Sequence, residues 1–285
     1  DFWTSSNLSN KDNCTFNVDV FLENSGSMDG YVKGITEFET TIYNLLGDIK
    51  TSGQCDSLNL NYINNTIPYT LNNAIREDIQ DFIERLEPST FQKRGGDRSV
   101  SDMDKIIGTI ISKVSDKNIV MLISDFVFSP GSKKDALEYF ANQEVSIKIN
   151  FAEKLKISKF SVLLIKLQSK FDGYYYNRYD APVRMTTERP YYIMIIGRDY
   201  NIQTLINKNI IENIRGGYVD KIYMTDLHDL KPDYKLLKNP QIGTFDLDKE
   251  NPKFNVINAQ MDSRDGKTKG VFGFNVLVDF SGCKQ

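Results

Sequence analysis

The sequence predicts an α/β fold: a doubly wound, mostly parallel sheet flanked by helices over residues 16–215, then a smaller all-β module over 216–285. Three observations carry this. Strand-length apolar runs alternate with segments of helical period along the first two thirds of the chain, the pattern of a sheet covered by helices. The run at 119–123 is continuously apolar, as expected of a strand buried on both faces. After Gly216-Gly217 the helical period nearly vanishes and short β-like runs follow.

Residues 1–15 are polar and read as a leader or linker. The first strand is 16–22, and a helix at 35–49 carries Ile35, Phe38, Ile42, Leu45, Leu46 and Ile49 on one face. Leu58, Leu60 and Tyr62 alternate with polar neighbours in a second strand, and a short one is expected at 67–71. A helix at 73–86 presents Ile75, Ile79, Phe82, Ile83 and Leu86, and Pro88 ends it. The Gly95-Gly96 loop leads to a helix that Ser101 is placed to cap. After the strand at 119–123 come helices at 133–143 and 147–155. A strand at 160–167 follows, with 171–179 as its expected hairpin partner, then a buried strand at 191–196 and a helix at 202–214. Tyr174, Tyr175, Tyr176 and Tyr179 either pack at a sheet edge or line a binding surface. The β-like runs of the last module are 221–224, 242–247, 254–261 and 271–280. The last reads as a strand awaiting partners, so the module reads as incomplete at Gln285.

The first strand runs straight into Glu23-Asn-Ser25-Gly-Ser27-Met28. Open α/β sheets place ligand sites at the carboxyl ends of their strands. A carboxylate and two hydroxyls at alternating positions there suit a hard divalent cation, which takes oxygen ligands and keeps several waters.

This stretch resembles the Asp-x-Ser-x-Ser motif of von Willebrand factor type A domains. Two further pieces of that family's metal-ion-dependent adhesion site have counterparts in the family's order. Ser101 before Met103, Ile106 and Ile107 matches the second loop, with Ser99 as the alternative, and the 119–123 strand ending in Ser124-Asp125 matches the third. Glu23 stands where the family has Asp, Ser101 where it has Thr, and Phe126 where it has Gly. The resemblance implies a Rossmann-like domain that binds a protein ligand without turnover. The metal ligands would be Glu23, Ser25, Ser27, Ser101 and Asp125, the cation Mg2+ (or Ca2+ or Mn2+), and the partner would present a carboxylate to it. In the family's sheet the first two strands are parallel neighbours, which would bring Cys14 and Cys55 together as a disulfide and leave Cys283 odd. A disulfide belongs to an oxidising compartment, so the expected location is secreted or cell envelope, with any anchor in a segment not present here.

Other chemistry is poorly supplied. The 285 residues hold 35 basic and 38 acidic side chains, a net charge of -3, with no broad basic footprint for nucleic acid. No run reaches the roughly 18 to 20 apolar residues of a membrane span. His228 is the sole histidine, no Gly-x-Ser-x-Gly elbow accompanies it, and no phosphate-binding glycine loop or zinc-type Cys/His cluster occurs. Asp102 and Asp104 would point to different faces of their helix. Two alternatives stay open: an assembly scaffold with a degenerate metal site, and a metal-assisted hydrolase using Glu23, Asp125 and bound water.

Overall fold

A computed structural model of the chain describes residues 15–83, 86–99, 102–127, 136–177, 181–225, 233–250 and 255–279. Cys14, Ser101, Tyr179, His228 and Cys283 fall outside them. The chain divides into two units, Asp1–Asp226 and Leu227–Gln285.

The first unit is built on a mixed seven-stranded sheet with helices on both faces. Its centre is parallel: β1 (Phe16–Glu23) lies between β2 (Cys55–Ile63) and β4 (Asn118–Ser124), both parallel to it. β3 (Tyr69–Leu71) caps the β2 edge antiparallel. Beyond β4 the sheet turns antiparallel, in the order β4, β6 (Pro182–Gly197), β5 (Ser161–Tyr176), β7 (Tyr218–Met224). The alternation of β4 splits its side chains between two cores. Ile119, Met121 and Ile123 face α1 (Glu37–Thr51), α2 (Arg76–Ile83), α3 (Pro88–Lys93) and α6 (Asp199–Asn207), through Phe38, Phe82, Phe91 and Leu205 among others. Val120 and Leu122 face α4 (Met103–Ser112) and α5 (Ala136–Ile157), through Ile106, Ile110, Ile147 and Phe151.

Several boundaries differ from the sequence expectation. Helix α1 starts at Glu37, because Thr36 takes the N-cap and accepts a hydrogen bond from the Glu39 amide. Ile35 therefore lies outside the helix and is 93% exposed. Pro88 opens α3 as its first residue, where its fixed φ and missing N–H suit a helix start. The helices expected at 133–143 and 147–155 are one, α5, since no Gly or Pro interrupts 144–146. Its hold on α4 is largely polar, which blurs the apolar period. Gln143 and Ser146 donate to the Asp104 carboxylate at 2.8 and 3.1 Å, and Asn150 donates to the Asp104 carbonyl at 3.1 Å. Helix α6 stops at Asn207, with Asn209 in the left-handed conformation (φ 58°) that ends helices.

The largest difference is the hairpin. The runs expected at 160–167 and 171–179 are not partners; 161–176 is one strand, β5, because Gln168-Ser169-Lys170 supplies no turn. The partner is β6, paired residue for residue from Ser161↔Gly197 to Tyr176↔Pro182. β4 pairs with β6 only as far as Ser124↔Tyr192, and β7 with β5 only as far as Leu167↔Tyr218. The rest of the hairpin, 169–176 with 182–189, is a two-stranded ribbon extending past the carboxyl ends of β1 and β4. The β7 pairing also carries the first unit past the expected boundary at 215, to Asp226.

The second unit holds two antiparallel pairs: β8 (Asp233–Ile242) with β11 (Gly273–Asp279), and β9 (Thr244–Leu247) with β10 (Val256–Gln260). Phe245 is buried there, in ring contact with Phe272 and Phe274. No helix among the described residues is long and apolar enough to cross a membrane.

Candidate functional site

The site lies where the parallel strands end. β1 stops at Glu23 and the chain tightens into a short 3-10 helix, Gly26–Tyr31, whose N-cap is Ser25. The Ser25 hydroxyl makes no capping bond. It faces the Ser27 hydroxyl at 3.0 Å instead. Ser27 in turn donates to Asp125 Oδ1 at 3.1 Å, across from the end of β4. The Val127 amide donates to the same Oδ1 at 3.2 Å. Asp125 Oδ2 is buried and accepts no hydrogen bond.

Three of the expected ligands, Ser25, Ser27 and Asp125, thus converge. Glu23 is fully buried beside them and accepts a hydrogen bond from Ser124, whose own oxygen accepts from the Phe126 amide at 2.7 Å. Ser101 is outside the described residues. Asp102, the next residue, is the N-cap of α4 and is buried, accepting from Tyr139 at 2.8 Å and pairing with Lys105 at 2.6 Å. Phe126 has φ 52°, a conformation costly for a bulky side chain, and its ring packs edge-on to Tyr192. It occupies the position that carries Gly in the motif, and it keeps the backbone shape that Gly favours.

Cys55, the other expected disulfide residue, opens β2 and stands opposite Phe16 in the register. Among the described residues its thiol has no disulfide partner; it is half-buried, and burial pushes its pKa up to about 11. The pairing with Cys14 falls outside the described residues. Asn64, just past β2, is buried, and its amide donates to Asn24 at 2.9 Å and to the Gly95 carbonyl at 3.1 Å.

The serine loop is held from two sides. On one, Arg98 donates to the carbonyls of Asn24 and Ser25 at 2.7 and 3.3 Å and pairs with Asp29, while its own carbonyl accepts from the Gly26 amide at 3.0 Å. Asn24 donates to the carbonyls of Phe91 and Gly95, both at 3.2 Å. On the other side the β5–β6 ribbon lies against the 3-10 helix. A Cβ at Gly30 would sit 2.4 Å from the Phe171 ring, so only glycine allows this approach. Tyr176 comes over the loop, and a recess of about 10 Å3 remains between it, Ser25, Gly26, Ser27, Arg98, Val127 and Ser99, the alternative second-loop residue. That volume suits one water.

Arg189 was not foreseen from sequence. It arrives from β6, with Nη1 buried, unbonded and 3.8 Å from Asp125 Oδ2. Its guanidinium lies 4.3 Å from the Tyr175 ring centre and 4.8 Å from that of Phe171. No local motif marks it; only the register of the hairpin brings it here. Burial pushes the Asp125 carboxyl up, opposed first by the Arg189 charge and then by the hydrogen bonds from Val127 and Ser27. Burial likewise raises Asp29, opposed by Arg98.

Among the described residues no three His, Cys, Asp or Glu side chains gather into a metal-binding group. The oxygen set at the site is two hydroxyls and one carboxylate with a bare oxygen, with room for water. Oxygen donors of this kind suit a hard cation and the softer donors of a zinc or copper site are lacking, while the recess as it stands admits one water. Comparison with known protein families, with characterised proteins and with solved structures finds no match to this chain.

Proposed function

We propose that the chain is a non-catalytic ligand-binding module of the von Willebrand factor type A kind, working through a divalent cation at the carboxyl ends of β1 and β4. The observation that carries this is the bare, buried Oδ2 of Asp125 beside two serine hydroxyls 3.0 Å apart. A buried carboxylate oxygen without a hydrogen bond is costly to keep in a scaffold, and the Arg189 charge 3.8 Å away does not supply one, whereas a bound cation would coordinate it. Ser25, Ser27 and Asp125 would hold Mg2+, Ca2+ or Mn2+, with Glu23 and Ser101 as the remaining expected ligands. When bound, the cation would offer a coordination position to a carboxylate of a protein partner. The parallel β2–β1–β4 core and the placement of both loops at its carboxyl end support the reading.

The test is thermal unfolding in EDTA, then with each cation restored, for the parent and for Ser27→Ala. A ligand that binds only the folded state stabilises it by about 2.7 kcal/mol at a hundredfold excess over Kd. In a unit of this size that is a rise of roughly 5 to 10 °C. The rise is expected in the parent and absent in Ser27→Ala. A flat response up to millimolar cation sinks the reading.

A second reading, an assembly scaffold whose metal site has degenerated, is favoured by one observation: the Arg189 guanidinium already brings a positive charge within 3.8 Å of Asp125. It predicts partner binding that chelator leaves untouched.

A further inference from the structure

We propose that Arg189 is a tethered competitor of the cation: its guanidinium shields Asp125, and a divalent ion takes the site only when Arg189 withdraws. The inference rests on the cation-site reading above and adds a control element to it.

Three features lead there. Arg189 Nη1 and Asp125 Oδ2 face each other at 3.8 Å, and both atoms are buried without a hydrogen bond. That separation is too long for a hydrogen bond, so charge attraction alone joins them, without the directional hydrogen bonds that lock a guanidinium onto a carboxylate. The guanidinium is instead supported by Tyr175 and Phe171, the rings it lies over, and both belong to the ribbon strand paired with its own. Arg189 is thus attached to the ribbon and only leans on the site.

The second feature is charge. A divalent ion on Asp125 and a guanidinium a few ångströms away repel strongly in a space shielded from solvent. Both cannot use the same carboxylate oxygen. The third is access. Tyr176, on the same ribbon, leaves a recess of only about 10 Å3 over Ser25 and Ser27. One movement of the ribbon would free both the hydroxyls and the carboxylate. The cation-competent state is then a fraction of the population, and the apparent Kd is the intrinsic value divided by that fraction.

The experiment is direct titration of the full chain with Mn2+, read by the loss of free-ion electron paramagnetic resonance signal, on the parent, Arg189→Gln and Arg184→Gln. Arg184 carries the same charge on the same ribbon but pairs with Asp172. Arg189→Gln is expected to bind at least about tenfold tighter than the parent. Arg184→Gln should stay within about twofold of it, since a charge exposed to solvent is largely screened. Equal affinity of the parent and Arg189→Gln overturns the competition and leaves the cation site standing. A gain of the same size in Arg184→Gln also overturns it, because net charge then explains the effect. No Mn2+ uptake by any of the three removes the site and the competition together. Should Arg189→Gln fail to fold, amide exchange in the parent decides. Saturating Mg2+ must speed exchange across 171–176 and 185–189 while slowing it at 25–29, and unchanged ribbon exchange with bound Mg2+ overturns the proposal.

Discussion

Asp19 and Asp125 belong to opposite ends of the same parallel strand pair, and the fold treats their carboxylates differently. Asp19, on β1, has an asparagine amide on each oxygen: Asn59 from β2 at 2.6 Å and Asn118 from β4 at 2.8 Å. The three strands are thereby tied across their amino ends. Asp125, just past β4, has two donors on Oδ1 and none on Oδ2, although it is the more deeply buried. A carboxylate with both oxygens satisfied closes a structure. One with a buried oxygen left without a hydrogen bond, at the end of the sheet where α/β folds bind ligands, is the kind the proposed cation would use.

The strongest way to break this contrast is at the ribbon. Gly30→Ala drives a methyl into the Phe171 ring and is expected to cost about 3 kcal/mol, since overpacking against a filled core forces the backbone to shift. A urea midpoint within error of the parent would show that the ribbon does not press on the serine loop. Next comes the direct comparison of the two carboxylates. Asp19→Ala leaves two asparagine amides without their acceptor and should cost about 2 kcal/mol, while its cation response persists. Asp125→Asn should lose the cation-induced rise in unfolding temperature entirely. If the two variants respond to cation alike, the distinction between a closing and a coordinating carboxylate fails.

The smallest effect expected concerns Glu39, on α1. It is half-buried, and desolvation raises its pKa from 4.5 to about 7. A carboxyl with a raised folded pKa favours folding while protonated. Its contribution is therefore complete below pH 4.5 and is lost as pH rises through about 7. Glu39→Gln should flatten that part of the stability–pH curve and be the more stable protein at pH 8. An unchanged slope between pH 5 and 8 would assign the pH dependence to other groups.

How much was legible follows from how local each signal is. The serine turn, the Ser124-Asp125 strand end and the apolar run 119–123 of β4 are short-range patterns, and in the structure Ser25 lies within hydrogen-bond reach of Ser27, and Ser27 of Asp125. Asn24, Arg98 and Ser124 sit inside the motif stretches but act through backbone carbonyls and a neighbouring carboxylate, so residue type alone did not mark them. Arg189 carries no local signal. It precedes Pro190 in a strand whose register with β5 is set by pairing from Gly197 to Pro182.

By itself, the sequence determined the α/β alternation, the strand that feeds the Ser25–Ser27 turn, and the hydroxyl and carboxylate oxygens available there. Those follow from side-chain period and from residues adjacent in the chain. The tertiary structure alone decided that β5 and β6 form one long hairpin, that its ribbon presses Phe171 onto Gly30, and that Arg189 reaches Asp125 while Tyr176 covers the serines. Those are matters of strand register and close packing between residues far apart in sequence, which no periodicity records.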